Sequence, residues 1–396
     1  MYRKNALNFF AGYFLSAFGY EFIFFVMTVH VYNLTSSALN VGIFSTVSFI
    51  PRLFSPLYGA IGDRYDRAKV FTAASAIVAL LIVAIAFVES VAWIYSVWFV
   101  ISIFAMMIMN VRTLIMTEIM TRNSNLQGNS TVLMILSIAR IIAPFAGGLI
   151  AAIWTPRALL FLTSAIYFLA TIIMTKVSLE RKGNAGIRSV QGIFHDISAG
   201  ITCIVNDHSL RYLAIIAIFW RLFLGLQISL FVVYVKSYFS LGSSAYGLFL
   251  TCAGLGSIAG SMIGPLIVKK VEPEKLIMWG MGAHYLTFAA LGMIGNFSVA
   301  LVTVLVSYVT FYSTLVGIHS IRDSVTRSEI RGRVYGSITA ILTPAGIASM
   351  LLGGYLAGLF GVEKVMLAAG VLAFASLVLT RVVFSDRRVM VLDSGQ

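Results

Sequence analysis

Gly59-Ala60-Ile61-Gly62-Asp63-Arg64-Tyr65-Asp66-Arg67-Ala68-Lys69 is a polar interruption between two apolar segments, residues 39–59 and 70–88. Five charges fall within the seven residues from Asp63 to Lys69. Such a run does not sit in hydrocarbon, whereas each flanking segment is long enough to cross it. It therefore reads as a tight turn between two membrane spans. Which side of the bilayer it faces orders everything else.

Composition supports lipid as the solvent. The chain is 59% hydrophobic and 11% charged, with a mean hydropathy of +0.94, against about 25% charged in soluble domains. Met1-Tyr2-Arg3-Lys4 leads into an apolar segment too long for a signal h-region and without a small-residue cleavage site, so this segment is expected to stay in the protein. Cys203 and Cys252 fall in different kinds of segment and imply no disulfide framework.

Apolar stretches of about 20 residues occur twelve times, at residues 8–32, 39–61, 70–88, 91–114, 130–153, 158–175, 211–235, 245–268, 276–295, 298–320, 334–358 and 362–381. The longest interruption divides them six and six. The expected domains are an N-terminal six-helix bundle over 1–176, a cytoplasmic linker over 177–210 and a C-terminal bundle with a short tail over 211–396. Within the linker, Ile193, Phe194, Ile197, Ile201 and Ile204 share one helical side, which predicts an amphipathic helix lying along the membrane surface.

The basic residues fix the orientation. Of the 28 lysines and arginines, four lie inside spans, and Arg157, Lys236 and Lys364 lie on one face. The rest fall at the other, which the positive-inside rule makes cytoplasmic. Both termini and the 59–69 turn are then cytoplasmic. This distribution also accounts for most of the net charge of +13 without a nucleic-acid partner. The halves look like repeats as well: Gly147-Gly148 and Gly353-Gly354 are 206 residues apart, and the same offset carries Lys69 to Lys275. A parallel repeat around a central loop is an architecture of secondary transporters.

On these residues the chain resembles the major facilitator superfamily. Gly59, Asp63, Arg64, Arg67 and Lys69 match that family's signature between its second and third helices, with Ala68 where another basic residue is common. Pro144, Gly147 and Gly148 match the helix-five motif associated with antiporters, with Ala143 in place of the usual Gly. The wider pattern, with Leu34–Ala38, Arg112, Arg140 and the Glu329–Arg333 turn, is similar to a bacterial efflux branch that includes siderophore and macrolide exporters. The resemblance implies twelve helices in two pseudo-symmetric bundles, proton coupling, a monomer, a bacterial inner-membrane location and no cofactor. It also implies a cavity lined by helices one, four, seven and ten. Here those supply Tyr13, Tyr20, Glu21, Phe24, Met109, Asn110, Trp220, Arg221, Gln227, Tyr308 and Tyr312.

The residues have physical readings of their own. Asp63 is expected to meet the positive N-terminus of span eleven near Val334, and Arg64 and Arg67 to pair with Glu118 or Glu329, as a cytoplasmic gate. Gly254, Gly256, Gly260 and Gly264 form a small-residue stripe in span eight that Pro144, Gly147 and Gly148 could face. Charge inside spans is costly and functional by default. Glu21 is the one clear intramembrane carboxylate, against Arg52, Arg112, Arg140 and Arg221. Arg52 and Arg112 read as snorkelling toward the inner interface. Arg140 divides between structural tie and cargo contact, and Arg221 leans toward cargo. Guanidinium groups stay charged, so the excess calls for carbonyls, water or an anionic substrate. A carboxylate that alternates between apolar surroundings and an arginine takes up and releases a proton, which makes Glu21 the coupling candidate. Met106, Met107, Met109 and Met116 offer a deformable apolar wall. His30 and His284 receive no role.

No metal cluster, nucleophile–base pair or Gly-x4-Gly-Lys-Ser/Thr phosphate loop appears in the sequence, so an enzyme and an ATP-driven pump are not expected. The leading expectation is a proton-coupled exporter of an amphiphilic anion, with a carboxylate-type siderophore first. A multidrug or macrolide exporter and an anionic-lipid translocator are the alternatives.

Overall fold

A computed structural model describes residues 2–120, 125–179, 190–326 and 331–384. Every regular element among them is helical: α1 (Tyr2–Thr35), α2 (Ala38–Phe49), α3 (Ser55–Arg64), α4 (Arg67–Ile85), α5 (Val91–Ile119), α6 (Asn125–Ile150), α7 (Pro156–Met174), α8 (Val190–Asn206), α9 (His208–Val233), α10 (Ser243–Val268), α11 (Pro273–Leu276), α12 (Gly282–Leu291), α13 (Phe297–Val325), α14 (Arg331–Phe360) and α15 (Val362–Val383). A helix satisfies its own backbone in lipid, which is why apolar stretches of this length become helices. Polar residues end them. Asp66 accepts from the amides of Ala68 and Lys69 to start α4, Asp207 caps α9, and Asn296 caps α13.

Ten helices are long and apolar enough to cross a bilayer. The remaining two of the twelve spans are interrupted. The second is broken by a 3-10 turn, Ile50–Phe54, between α2 and α3. The ninth is assembled from α11, a π segment at Ile277–Met281, and α12. The continuous second span expected from hydropathy is thus corrected to two half-helices. Pro51 lacks an amide N–H, and hydropathy averaging does not register that loss.

The chain divides into two compact units. One comprises Met1–Ser36, Ile43–Ser189 and Leu241–Thr251; the other comprises Ser37–Gly42, Val190–Ser240 and Cys252–Gln396. In the first, α1 packs on α6 and α7, and α4 lies against α5 and α7. Trp98 Nε1 donates to Ser48 Oγ at 2.6 Å, tying α5 to α2. In the second, α9 packs on α14, and α12 on α13 and α15.

The internal repeat is visible in matched close approaches. In the first unit, Gly147 faces Phe25 on α1, and Gly148 faces Ser243, Ser244 and Gly247 on α10. In the second, Gly353 faces Leu226 and Ser229 on α9, and Gly354 faces Ala38 and Gly42 on α2. A Cβ on Gly148 would stand 3.1 Å from the Gly247 Cα, and one on Gly354 would stand 3.0 Å from the Gly42 Cα. Small residues let helix backbones meet at this distance. Each unit thus receives the first turns of a helix that continues in the other unit. Ser36 and Ser240, just ahead of those two helices, both adopt positive φ, 47° and 55°.

Two packing expectations change. The stripe of span eight packs on α13, with Gly260 against Val309 and Tyr312 and Gly264 against Ser313 and Val316, and Gly256 against Leu305 and Tyr308. Pro144, Gly147 and Gly148 face α1 and the start of α10. The linker helix α8 packs on α14, with Ile204 buried among Leu210, Ala214, Val334 and Ile338. Its C-terminal end is docked on protein, because α14 offers an apolar groove that the α8 pattern alone does not reveal. The side chains of Ile193, Phe194 and Ile197 lie outside the described residues.

Candidate functional site

Within the first unit a cavity of about 60 Å³ opens beside α1. Tyr13, Tyr20 and Glu21 reach it from α1, Arg52 from the break in the second span, Met106 and Met109 from α5, Arg140 from α6 and Tyr167 from α7. The α1 residues line up because positions three, four and seven apart share a helix face. Arg140 Nε donates to Glu21 Oε1 at 3.3 Å. Tyr20 stacks on Phe24 at 6.5 Å between ring centroids, and Phe24 leans on Phe44 at 5.8 Å.

Arg112 Nη1 donates a short hydrogen bond to the Tyr13 hydroxyl, and its Nε donates to the Met109 carbonyl at 3.0 Å. Arg112 is thus held at the cavity wall through Tyr13. Asn110 turns back on its own helix, its Nδ2 donating to the Met106 carbonyl at 2.8 Å, and it does not line this cavity. Arg52, expected like Arg112 to snorkel, also lines the cavity. The break in the second span redirects its side chain.

A second polar group lies inside the other unit, where Gln227 and His284 are each 1% exposed. Gln227 Nε2 and His284 Nε2 are 3.2 Å apart. His284 Nδ1 lies 2.9 Å from both the carbonyl and the hydroxyl of Ser307. The Tyr308 hydroxyl donates to Gln227 Oε1 at 3.3 Å. A carbonyl can only accept, so the ring proton sits on Nδ1 and points at Ser307 O. Nε2 then accepts from the Gln227 amide. Aromatic rings enclose it: Phe223, Phe311 and Tyr308 all lie within 6.1 Å of the His284 ring.

Trp220 stacks on Phe311 at 5.7 Å, Tyr312 stacks on Tyr308 at 6.2 Å, and Arg221 runs along Gly346 of α14. Candidate residues are therefore brought together in two sets, one per unit. Tyr20, Glu21, Arg112 and Arg140 gather around the first-unit cavity, with Phe24 behind Tyr20. Trp220, Gln227, Tyr308 and Tyr312 share the aromatic cluster of the second unit, and Arg221, also on α9, runs against Gly346 of α14. Sequence reading passed over His284 and the cavity role of Arg52. The signals available for them were a polar residue inside an apolar span and a proline immediately before an arginine.

At the 59–69 turn, Arg67 Nη1 bonds Glu118 Oε2 at 3.0 Å, and its Nε donates to the Gly62 carbonyl at 3.1 Å. These contacts pin the turn to the end of α5. Gly62 sits tightly against Leu114, while nothing stands within 4 Å of a Cβ on Gly59. Arg64 lies over the Tyr65 ring at 5.7 Å. Lys69 contributes its backbone amide to the Asp66 cap. The Asp63 side chain and all of Glu329 lie outside the described residues.

A family model described as Major Facilitator Superfamily matches residues 9–341. The multi-drug resistance efflux pump PmrA of Streptococcus pneumoniae is 26% identical over 167 residues, which is 41% of this chain and 42% of that protein. The match thus spans less than half of the relative's length. Among solved structures, the nucleoside transporter NupG aligns with a TM-score of 0.79 at 13% identity, over 97% of this chain and 100% of its own. A bacterial homologue of the human lysosomal transporter Spinster, inward-facing, aligns at 0.74 and 13% identity, over 97% and 98%. A bacterial homologue of the iron transporter ferroportin, also inward-facing, aligns at 0.71 and 18%, over 97% and 99%. At these identities the structures speak to the fold. With twelve spans in two pseudo-symmetric halves and a family match over most of its length, the chain belongs to the Major Facilitator Superfamily.

Proposed function

We propose that this multi-pass membrane transporter works by alternating access, exporting an amphiphilic small molecule that carries negative charge in exchange for protons. The observation that carries the reading is the charge balance of the first-unit cavity. Its carboxylate, Glu21, is bonded to Arg140, while Arg52 lines the same wall and Arg112 reaches it through Tyr13. A cavity with a cationic surplus favours anions. Protonation of Glu21 dissolves its pair with Arg140 and is the proposed coupling step. In the first unit Tyr20 and Phe24 supply the aromatic surface for the rest of the cargo; in the second, Trp220, Tyr308 and Tyr312 are the proposed contacts. The Arg67–Glu118 pair and its turn serve as the inner gate, with Gly147 and Gly148 as a packing hinge. The proposed setting is the bacterial inner membrane, as a monomer with both termini cytoplasmic.

A carboxylate-type siderophore is the leading cargo. Broad drug efflux is the second reading, favoured by the similarity to PmrA and by an acidic residue able to attract cations. Counterflow in proteoliposomes separates them. Saturable exchange of carboxylate-bearing molecules, with matched cations inert, is the expected outcome. The reverse selectivity establishes the drug-efflux reading instead.

A further inference from the structure

Arg52 stands on irregular backbone at membrane depth, within the 3-10 turn Ile50–Phe54. Such backbone persists in a bilayer where it is buried in protein or lines a polar cavity. The Arg52 guanidinium carbon lies 3.9 Å from the Phe49 ring centroid. That stacking covers one face of the planar group and leaves its edge for in-plane hydrogen bonds. Nε on that edge is buried and has no hydrogen-bond partner. Ser16 Oγ, on the same cavity wall, is also buried without a partner. Native interiors hold few such atoms, because each forfeits its hydration without a replacement bond. Among the described residues no hydrogen bond joins Arg52 Nε to Glu21, whose Oε1 takes the bond from Arg140. The cavity of about 60 Å³ holds several water molecules, at roughly 10–15 Å³ each.

We propose that Arg52, rather than Arg140, anchors the cargo's anionic group. The guanidinium edge holds a carboxylate in its fork geometry, Ser16 donates a second bond, and the Glu21–Arg140 pair stands intact beside it. The break in the second span exists to aim Arg52 inward. This assignment rests on the anionic reading of the cargo and adds the residue that reads the charge.

The test compares 2-naphthoate with its uncharged isostere 2-naphthamide, by calorimetric titration of the full-length protein in nanodiscs. The wild type is expected to prefer naphthoate. Arg52→Gln should weaken naphthoate binding by about tenfold or more, the worth of a hydrogen bond to a charged group, and leave naphthamide unchanged. Arg52→Lys, which keeps the charge but not the fork, should fall between. An undiminished naphthoate affinity in Arg52→Gln, with the loss appearing in Arg140→Gln, overturns the anchor and leaves the anionic reading standing. A wild type without preference for the anion overturns both. A second measurement needs no variant: naphthoate, but not naphthamide, should protect Arg52 from phenylglyoxal in the wild-type protein, read by peptide mass spectrometry. Equal labelling with either probe refutes the anchor.

Discussion

His284 on α12 is held through both ring nitrogens by residues from two other helices, Gln227 on α9 and Ser307 on α13. Replacing it by Phe keeps a ring but strands the Gln227 amide N–H, at about 1–3 kcal/mol when buried unpaired, while the Ser307 carbonyl keeps the Thr310 hydroxyl. His284→Phe should lower the midpoint of thermal unfolding in detergent, and Tyr308→Phe, which removes a single donor, should lower it less. Equal midpoints for His284→Phe and wild type would remove the network from the stability of this unit. Glu21 calls for a functional measurement. Glu21→Gln cannot exchange a proton, so proton-driven export should be lost and the pH dependence of any residual exchange flattened. Unchanged pH-dependent export excludes Glu21 from coupling. Glu21 was legible in the sequence because a carboxylate inside an apolar span has no bland surroundings to hide in. Arg52 was less so, since hydropathy gives the depth of a residue and not its direction. His284 was silent because its partners, Gln227 and Ser307, lie 57 and 23 residues away.

At the scale of the element, the decisive departure is the broken second span. Proline alone does not announce it: Pro144, Pro265 and Pro344 lie inside helices that continue through them. What differs at Pro51 is a second proline, Pro56, five residues on, and a 3-10 turn between the two half-helices. Neighbouring prolines remove two amide donors within about a turn and a half, too much for a single helix to absorb by bending. Pro51→Ala restores one donor. Pro51 stands in the first positions of the 3-10 turn, where proline is well tolerated, so the variant should keep close to wild-type stability while the second span straightens and Arg52 swings off the cavity. Counterflow should fall although the unfolding midpoint does not. Wild-type flux in Pro51→Ala would mean that the break has no part in transport. Span number and length were readable because lipid demands about 20 apolar residues per crossing. The docking of α8 on α14 and the turning of the α10 glycines toward α13 were not. Both depend on which neighbour presents a complementary groove.

For the whole molecule, the sequence carried the architecture further than it carried the site. Two halves offset by 206 residues reappear as equivalent glycine contacts, Gly147 and Gly148 in one unit and Gly353 and Gly354 in the other. A repeat imposes the same packing problem twice and receives the same small-residue solution. Cargo charge is a property of the whole machine too, because it sets what the membrane potential does. Exchange of a monovalent anion outward for one proton inward moves two positive charges inward. At about 2.3 kcal/mol per charge per 100 mV, a potential of 100 mV, negative inside, supplies about 4.6 kcal/mol, enough for a roughly thousandfold gradient of the anion. Exchange of a monovalent cation for one proton moves no net charge and gains nothing from the same potential. Proteoliposomes clamped with a potassium gradient and valinomycin, at equal pH on both sides, should therefore drive a loaded carboxylate out against its gradient. The steady-state distribution is a thermodynamic quantity, so it does not depend on which way the protein inserted. A distribution that ignores the potential would overturn anion–proton exchange and leave electroneutral drug–proton exchange as the reading the charges must then explain.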